Sequence, residues 1–204
     1  MKLFDLSHAF TPDIPVYPGE PAPQIKQMAN LKEHGYICYE LTATMHIGTH
    51  IDAPLHFYEN GKRLCDFPPE KFIGRALLID VRGKQTIDAD VLQHTGIQKD
   101  DMVFLFTDHA KKFRQPDYYQ SWPGVTENFG HELVRLGIKI LGIDAPSIDH
   151  PPFPVHQIIL KEDILIIENL TNLESLLQYK TFQAMAIPPK YALDGAHLRV
   201  IAKI

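Results

Sequence analysis

Cysteine is scarce in this sequence: Cys38 and Cys65 are the only two in 204 residues, and they stand outside any Cys-x-x-Cys pair. That spacing supports neither a disulfide framework nor a thiolate zinc site, so both read as ordinary reduced thiols. Long apolar runs are missing as well. No stretch reaches the roughly 18 apolar residues that span a bilayer, and the opening Met1 to His8 lacks the apolar core of a signal peptide, so a cytoplasmic protein is expected. Positive charge is not in excess: 20 Lys and Arg face 25 Asp and Glu, and no basic run is dense enough to track a phosphate backbone. No nucleic-acid or membrane partner is expected. Neither the Gly-x-Ser-x-Gly elbow of a serine hydrolase nor the His-x-His pair of a cupin-type site occurs, which leaves Ser147 without a triad.

Histidine is what the chain has in abundance. There are eleven, and His46, His50 and His56 fall with Asp52 inside the segment His46-Ile-Gly-Thr-His-Ile-Asp-Ala-Pro-Leu-His56. Imidazole nitrogen and carboxylate oxygen together suit zinc, manganese or iron. On a helix, His46 and His50 would share a face while Asp52 pointed almost oppositely, and Gly48 and Pro54 would oppose the helix itself. On an extended segment, positions 46, 50, 52 and 56 have one parity, so a strand end running into a turn lets all four converge. Gly48 is expected to let the backbone approach an ion closely, and Thr49 to hold a ligand through a further hydrogen bond. His8, His34, His94, His109, His131, His150 and His197 have no such spacing and read as surface or core residues. Tyr118, Tyr119 and Trp122 read as ordinary packing.

The rest of the sequence predicts a strand-rich α/β protein, residues 1–204 forming one domain. Pro12, Pro15, Pro18, Pro21 and Pro23 exclude a long helix and leave a short strand at Leu3 to Ser7 followed by an extended arm. Such an arm cannot fold on itself and is expected to lie across a neighbour in a homo-oligomer, most simply a dimer. Tyr36 to His46 carries no Gly or Pro and is rich in β-branched and aromatic residues, which predicts a strand ending at the histidine cluster. Further strand-length apolar runs are 76–81, 102–107, 138–143, 164–167, 182–187 and 198–204. Thr126 to Leu136 predicts a helix, with Phe129, Leu133 and Leu136 on one face and Gly137 at the stop. Thr171-Asn-Leu-Glu174 has the capping-box spacing of a second helix, and 88–94 and 154–160 are weaker candidates.

With His46, Gly48, Thr49, His50, Asp52, Pro54 and His56 at its fixed positions, the histidine segment resembles the signature His-x-Gly-Thr-His-x-Asp-x-Pro-x-His of the cyclase family of metal-dependent hydrolases. That family includes bacterial kynurenine formamidases (arylformamidases) and isatin hydrolases. The likeness runs from about residue 3 to residue 202: Asp5-Leu-Ser7 and Ile14-Pro-Val-Tyr-Pro-Gly-Glu20 resemble its opening, and Gly142 to Asp149 its central block. Ile187-Pro-Pro-Lys190 and Asp194-Gly-Ala-His-Leu-Arg199 resemble its close. Pro154-Val-His156 and Ile166-Ile-Glu-Asn-Leu170 match the places where the family supplies a further histidine and a glutamate to its metals. The resemblance thus implies His156 and Glu168 as ligands beside His46, His50 and Asp52, on a cyclase-like, swivelling β/β/α fold. Three places depart from the pattern: Tyr17 stands where many formamidases carry tryptophan, Glu20 replaces the common aspartate, and Ala196-His197 replaces Ser-Pro. These bear on the substrate pocket or a local turn, with Tyr17 the candidate substrate contact.

Five ligands exceed what one tetrahedral ion with an open water position needs, so two ions bridged by Asp52 or Glu168 are expected. The resemblance implies zinc, as in the formamidases, with manganese, as in the isatin hydrolases, the alternative. The ions would activate water and polarise an amide carbonyl. His56, left over from the ligand set, is then the expected general base and later the acid that protonates the departing amine, with substrate orientation as its alternative role. The activity implied is hydrolysis of an aryl formamide such as N-formylkynurenine to the amine and formate, a step of tryptophan catabolism. Opening of a cyclic amide such as isatin is the enzymatic alternative, and a metal-binding structural protein the non-enzymatic one.

Overall fold

Five consecutive buried residues, Met102 to Phe106, lie at the centre of the computed structural model, which describes residues 1–204. A strand that is apolar at every position must be covered on both faces. Met102, Phe104 and Phe106 point into one core and Val103 and Leu105 into another. Each such side chain contributes about 1.5–3 kcal/mol by leaving water.

In chain order the strands are β1 (Leu3–Asp5), β2 (Gln24–Ala29), β3 (Cys38–Thr42), β4 (His50–Asp52), β5 (Ile73–Asp80), β6 (Thr86–Ile87) and β7 (Met102–Phe106). They continue as β8 (Gly124–Val125), β9 (Ile140–Ile143), β10 (Leu165–Glu168), β11 (Phe182–Ile187), β12 (Gly195–His197) and β13 (Arg199–Lys203). The helices are α1 (Leu31–His34), α2 (Glu127–Leu136) and α3 (Pro154–Lys161). Nine strands form one sheet in the order β1-β13-β11-β5-β7-β9-β10-β4-β12, with β5, β7, β9 and β10 parallel. Val200 and Ala202 of β13 share a core with Ile51 of β4 and Ala196 of β12, although these strands stand near opposite ends of that order. The sheet is therefore curled. Leu6 helps to close it, donating its amide to Val200 O at 2.8 Å and accepting from Thr171 N at 3.0 Å. Helices α2 and α3 cover the other face through Phe129, Leu133, Val155 and Ile159. This is the strand-rich α/β architecture expected from the sequence.

Helix α2 begins and ends as its sequence predicts: Thr126 Oγ1 accepts from Phe129 N at 3.1 Å, and Gly137 closes it at φ +67°. The second predicted helix is corrected to a single 3-10 turn, Leu173–Leu176. Asn172 precedes it at φ +57° with no side-chain capping bond, whereas a box capped by Thr171 needs a right-handed helical residue there. The predicted strand 36–46 is also shorter. Only Cys38–Thr42 is extended, and it pairs with β2 as a separate, exposed hairpin instead of joining the main sheet. Strand β2 itself was hidden within the proline-rich arm; it starts directly after the last proline, Pro23.

His8 lies parallel to Phe113 at 3.6 Å between ring centroids, and its Nε2 is buried without a partner. Burial, with Arg114 nearby, lowers its pKa to about 4. A histidine neutral in the fold but free to protonate in the unfolded chain binds fewer protons when folded, so its contribution to stability is present above about pH 6.5 and is lost as the pH falls toward 4. His8→Phe, which keeps the stack and removes the titration, is expected to narrow the difference in urea midpoint between pH 7.5 and pH 5. An unchanged difference would contradict this account.

Candidate active site

Strand β4 lies between β10 and β12, and its register sets the site. His50 stands opposite Glu168 on one side and His197 on the other, while Asp52 stands opposite Ile166 and Gly195. Alternation along β4 sends Ile51 into one core and leaves His50 and Asp52 on the opposite face, both 1% exposed. The other two histidines arrive differently from the single extended segment the spacing predicts. Residues 45–49 bend, with Gly48 at φ +62°, and this turn brings His46 back over the strand. Beyond Asp52, Pro54 starts a 3-10 turn, Pro54–His56, that carries His56 round to His46.

The hydrogen bonds assign the ring nitrogens. His50 Nδ1 donates to Gly48 O at 2.8 Å, so Nε2 carries the lone pair. That atom is buried with no hydrogen-bond partner, and it lies 3.4 Å from both Asp52 Oδ1 and Glu168 Oε2. Two atoms each about 2.0–2.1 Å from one tetrahedral ion stand about 3.4 Å apart, so this trio fits a divalent metal. His156 Nδ1 faces Asp149 Oδ1 at 2.6 Å, which turns Nε2 toward Glu168 Oε1 at 3.2 Å and Asp52 Oδ2 at 3.8 Å. The two oxygens of Asp52 thus face different histidines, as do those of Glu168.

His46 faces a carboxylate at each nitrogen: Asp52 Oδ1 is 2.7 Å from Nδ1 and Asp194 Oδ2 is 2.8 Å from Nε2. His56 stacks on it at 3.8 Å between centroids, with its Nδ1 3.3 Å from the same Asp194 oxygen. Burial opposes protonation of His46 and His156, but Asp52 and Asp194 around the one, and Asp149 and Glu168 around the other, outweigh it and raise both to about 10. The carboxylates here demand positive charge, which divalent cations can supply. Burial keeps His56 below its ordinary pKa, although Asp52 pulls the other way.

All five sequence-predicted ligand residues and His56 line one cavity of about 540 Å³. Tyr17, Phe57, Tyr119 and Phe153 give it aromatic walls, and Glu20 also lines it. Tyr17 meets Tyr119 edge-on at 5.6 Å and faces the pocket of its own chain. One expectation is corrected. Thr49 bonds no ligand side chain: it donates to Asn169 O at 2.7 Å and accepts from His8 N at 2.9 Å, so it ties β4 to the chain beyond Glu168. Gly48 acts through its φ and through the carbonyl that holds His50.

Two carboxylates escaped the sequence reading. Asp149 caps α3, accepting from Val155 N at 2.7 Å, and orients His156. The side chain of Phe153 at the cap position cannot accept a hydrogen bond, which signals that a cap must come from elsewhere. Asp194 begins the closing block that resembles the family's, but nothing local gave it a role, because it reaches His46 only through the pairing of β12 with β4.

The cyclase family, described as "Putative cyclase", matches residues 4–150. A kynurenine formamidase of Bacillus cereus (strain ZK / E33L) is 30% identical over 205 residues, covering 98% of this chain and 96% of the relative. One from Bacillus thuringiensis subsp. konkukian (strain 97-27) is 28% identical with the same coverage. Among solved structures, a predicted metal-dependent hydrolase from Bacillus stearothermophilus has a TM-score of 0.83 at 26% identity, covering 98% of this chain and 97% of its own. Isatin hydrolase A from Labrenzia aggregata, bound to benzyl benzoate, shares the fold at a TM-score of 0.89 and 24% identity, covering 98% of this chain and 93% of its own.

Proposed function

The chain belongs to the cyclase family, and from that premise we propose that it is a metal-dependent hydrolase of C–N amide bonds whose substrate is an aryl formamide such as N-formylkynurenine. The observation that carries this reading is the unpartnered His50 Nε2, 3.4 Å from two buried carboxylates in an aromatic-walled cavity. In this reading His46, His50, Asp52, His156 and Glu168 would hold the divalent ions, five ligands being more than one tetrahedral ion needs. Nitrogen and oxygen donors suit zinc first and manganese as the alternative. When bound, the ions supply Lewis acidity toward the amide carbonyl and lower the pKa of water to about 7.

The chain's own residues complete the reaction. His56, its side chain 31% exposed toward the cavity, takes a proton from the attacking water as the new C–O bond forms at the formyl carbon. It returns the proton to the amide nitrogen as the C–N bond breaks, so that amine and formate leave. Tyr17, Phe57, Tyr119 and Phe153 enclose the aryl ring and exclude water from it. A turnover panel of N-formylkynurenine, simpler N-formyl aryl amides, isatin and lactams, with zinc- and manganese-loaded protein, tests the reading. Formamide hydrolysis is expected to dominate. Turnover of isatin alone would move the reading to cyclic amides, and no turnover of either class would end it.

The working unit proposed is a homodimer. Strands β2 and β3 pair only with each other, and an isolated two-stranded hairpin is marginal in water. Met28, Leu31, Tyr36, Ile37, Tyr39 and Leu41 are exposed along this hairpin and its turn, an apolar surface that a second copy would cover. Light scattering is expected to give twice the chain mass; a monomer at working concentration would overturn the proposal. No helix is long and apolar enough to cross a membrane, and the proposed location is the cytoplasm.

A further inference from the structure

Asp194 touches both His46 and His56, and nothing in the ligand set or the acid–base step assigns it a role. We propose that it is a positioning residue whose single oxygen, Oδ2, fixes the tautomer of both rings, turning His46 Nδ1 toward the metals and His56 Nε2 toward the substrate. The proposal rests on the reading of His46 as ligand and His56 as base.

A neutral imidazole has one donor and one acceptor nitrogen, and a carboxylate only accepts. Each ring nitrogen that faces Asp194 must therefore carry the proton. For His46 both nitrogens face a carboxylate, Nε2 at 2.8 Å from Asp194 and Nδ1 at 2.7 Å from Asp52 Oδ1; once Nδ1 gives its lone pair to an ion held with Asp52, the one remaining proton must sit on Nε2, toward Asp194. For His56 it is Nδ1, at 3.3 Å, which leaves the lone pair on Nε2. The rings stack at 3.8 Å with an interplanar angle of 25°, an arrangement in which one oxygen reaches both edges. Carboxylates that hold the outer nitrogen of a ligand histidine orient the ring and raise its basicity. Asp149 has that relation to His156, and Asp194 would have it to His46 while serving His56 as well.

The backbone around Asp194 is fixed with little slack. Its carbonyl accepts from Ala53 N at 2.8 Å, and the following Gly195 pairs with Asp52. A Cβ at Gly195 would lie 2.8 Å from His46 Cε1 and 3.0 Å from Ile51 O, so the chain passes as near the ring as glycine allows. The carboxylate is thus delivered by the same strand pairing that places Asp52.

The test uses zinc-loaded protein with ¹⁵N-labelled histidine, comparing wild type with Asp194→Asn and Asp194→Ala. Ring-nitrogen chemical shifts are expected to show protonated Nε2 at His46 and protonated Nδ1 at His56 in the wild type. Asparagine keeps one oxygen that can accept from both rings but carries no charge, whereas alanine offers no acceptor. Asp194→Asn is therefore expected to keep the tautomers, which a role in packing or charge alone would not require. Asp194→Ala is expected to lose the His56 Nδ1 proton signature, to weaken zinc binding in chelator competition by about 10- to 100-fold, and to lower kcat with little change in KM. Wild-type shifts and zinc affinity in Asp194→Ala, or the opposite tautomers in the wild type, would overturn the proposal. If no amide is hydrolysed by the wild type, the proposed function fails, while the nitrogen shifts and zinc affinity still decide the role of Asp194.

Discussion

Replacing His56 with alanine is expected to leave bound metal nearly unchanged while lowering turnover of an N-formyl aryl amide by about two to four orders of magnitude, the range for loss of a general acid–base group. The separation of the two effects follows from where the ring sits. His50, Asp52, His156 and Glu168 are all buried, whereas the His56 side chain is 31% exposed and opens on the cavity. It stacks on His46 and is braced by Asp194, so removing it takes away no atom of the buried cluster. The experiment pairs elemental analysis with kinetics on the same preparation. Because His46, Asp52 and His56 also stand close enough to hold an ion together, metal loss in His56→Ala would make His56 a ligand. Full activity in that variant would refute the proton transfer.

His50→Ala should behave in the opposite way, losing metal and activity together. Its Nε2 is the one atom equidistant, at 3.4 Å, from a carboxylate of β4 and a carboxylate of β10. Metal affinity should fall by more than the roughly 10- to 100-fold that loss of an outer-shell partner costs. Stability should fall as well. Asp52 and Glu168 would be left facing each other in the interior without the ion that His50 helps to hold, and the lost ring would leave a cavity. Thermal melts of wild type, His50→Ala and the better-packed His50→Gln, each with and without added zinc, read both effects. A His50→Ala protein that retains metal and turnover would remove His50 from the site.

Much of the fold was legible because local chemistry and global packing agree. Apolar runs became strands, and the Thr126 cap and Gly137 stop bound α2 as the sequence predicts. The misreadings have physical causes. Tyr36 to His46 looks like a core strand because it is rich in aromatic and β-branched residues, but those side chains lie on an exposed hairpin. Thr171-Asn-Leu-Glu174 has the letters of a capping box, but position 172, the first helical residue of such a box, is left-handed instead of right-handed helical. At the site, parity along β4 correctly joined His50 to Asp52, because a two-residue step returns to the same face of a strand. It gave the right company to His46 and His56 for an incomplete reason, since a turn at Gly48 and a 3-10 turn at Pro54 bring them in. Asp194 was beyond reach because 148 positions separate it from His46 and only strand pairing closes that distance.

The central claim is that amide hydrolysis at the buried histidine and carboxylate cluster depends on metal. Turnover of N-formylkynurenine, measured on one preparation as isolated, after chelation to negligible metal content, and after zinc or manganese is returned, tests it most directly. The account predicts that activity disappears with the metal and returns as the ratio of ions to chains rises toward two. Undiminished hydrolysis by protein whose metal content stays near zero would contradict it.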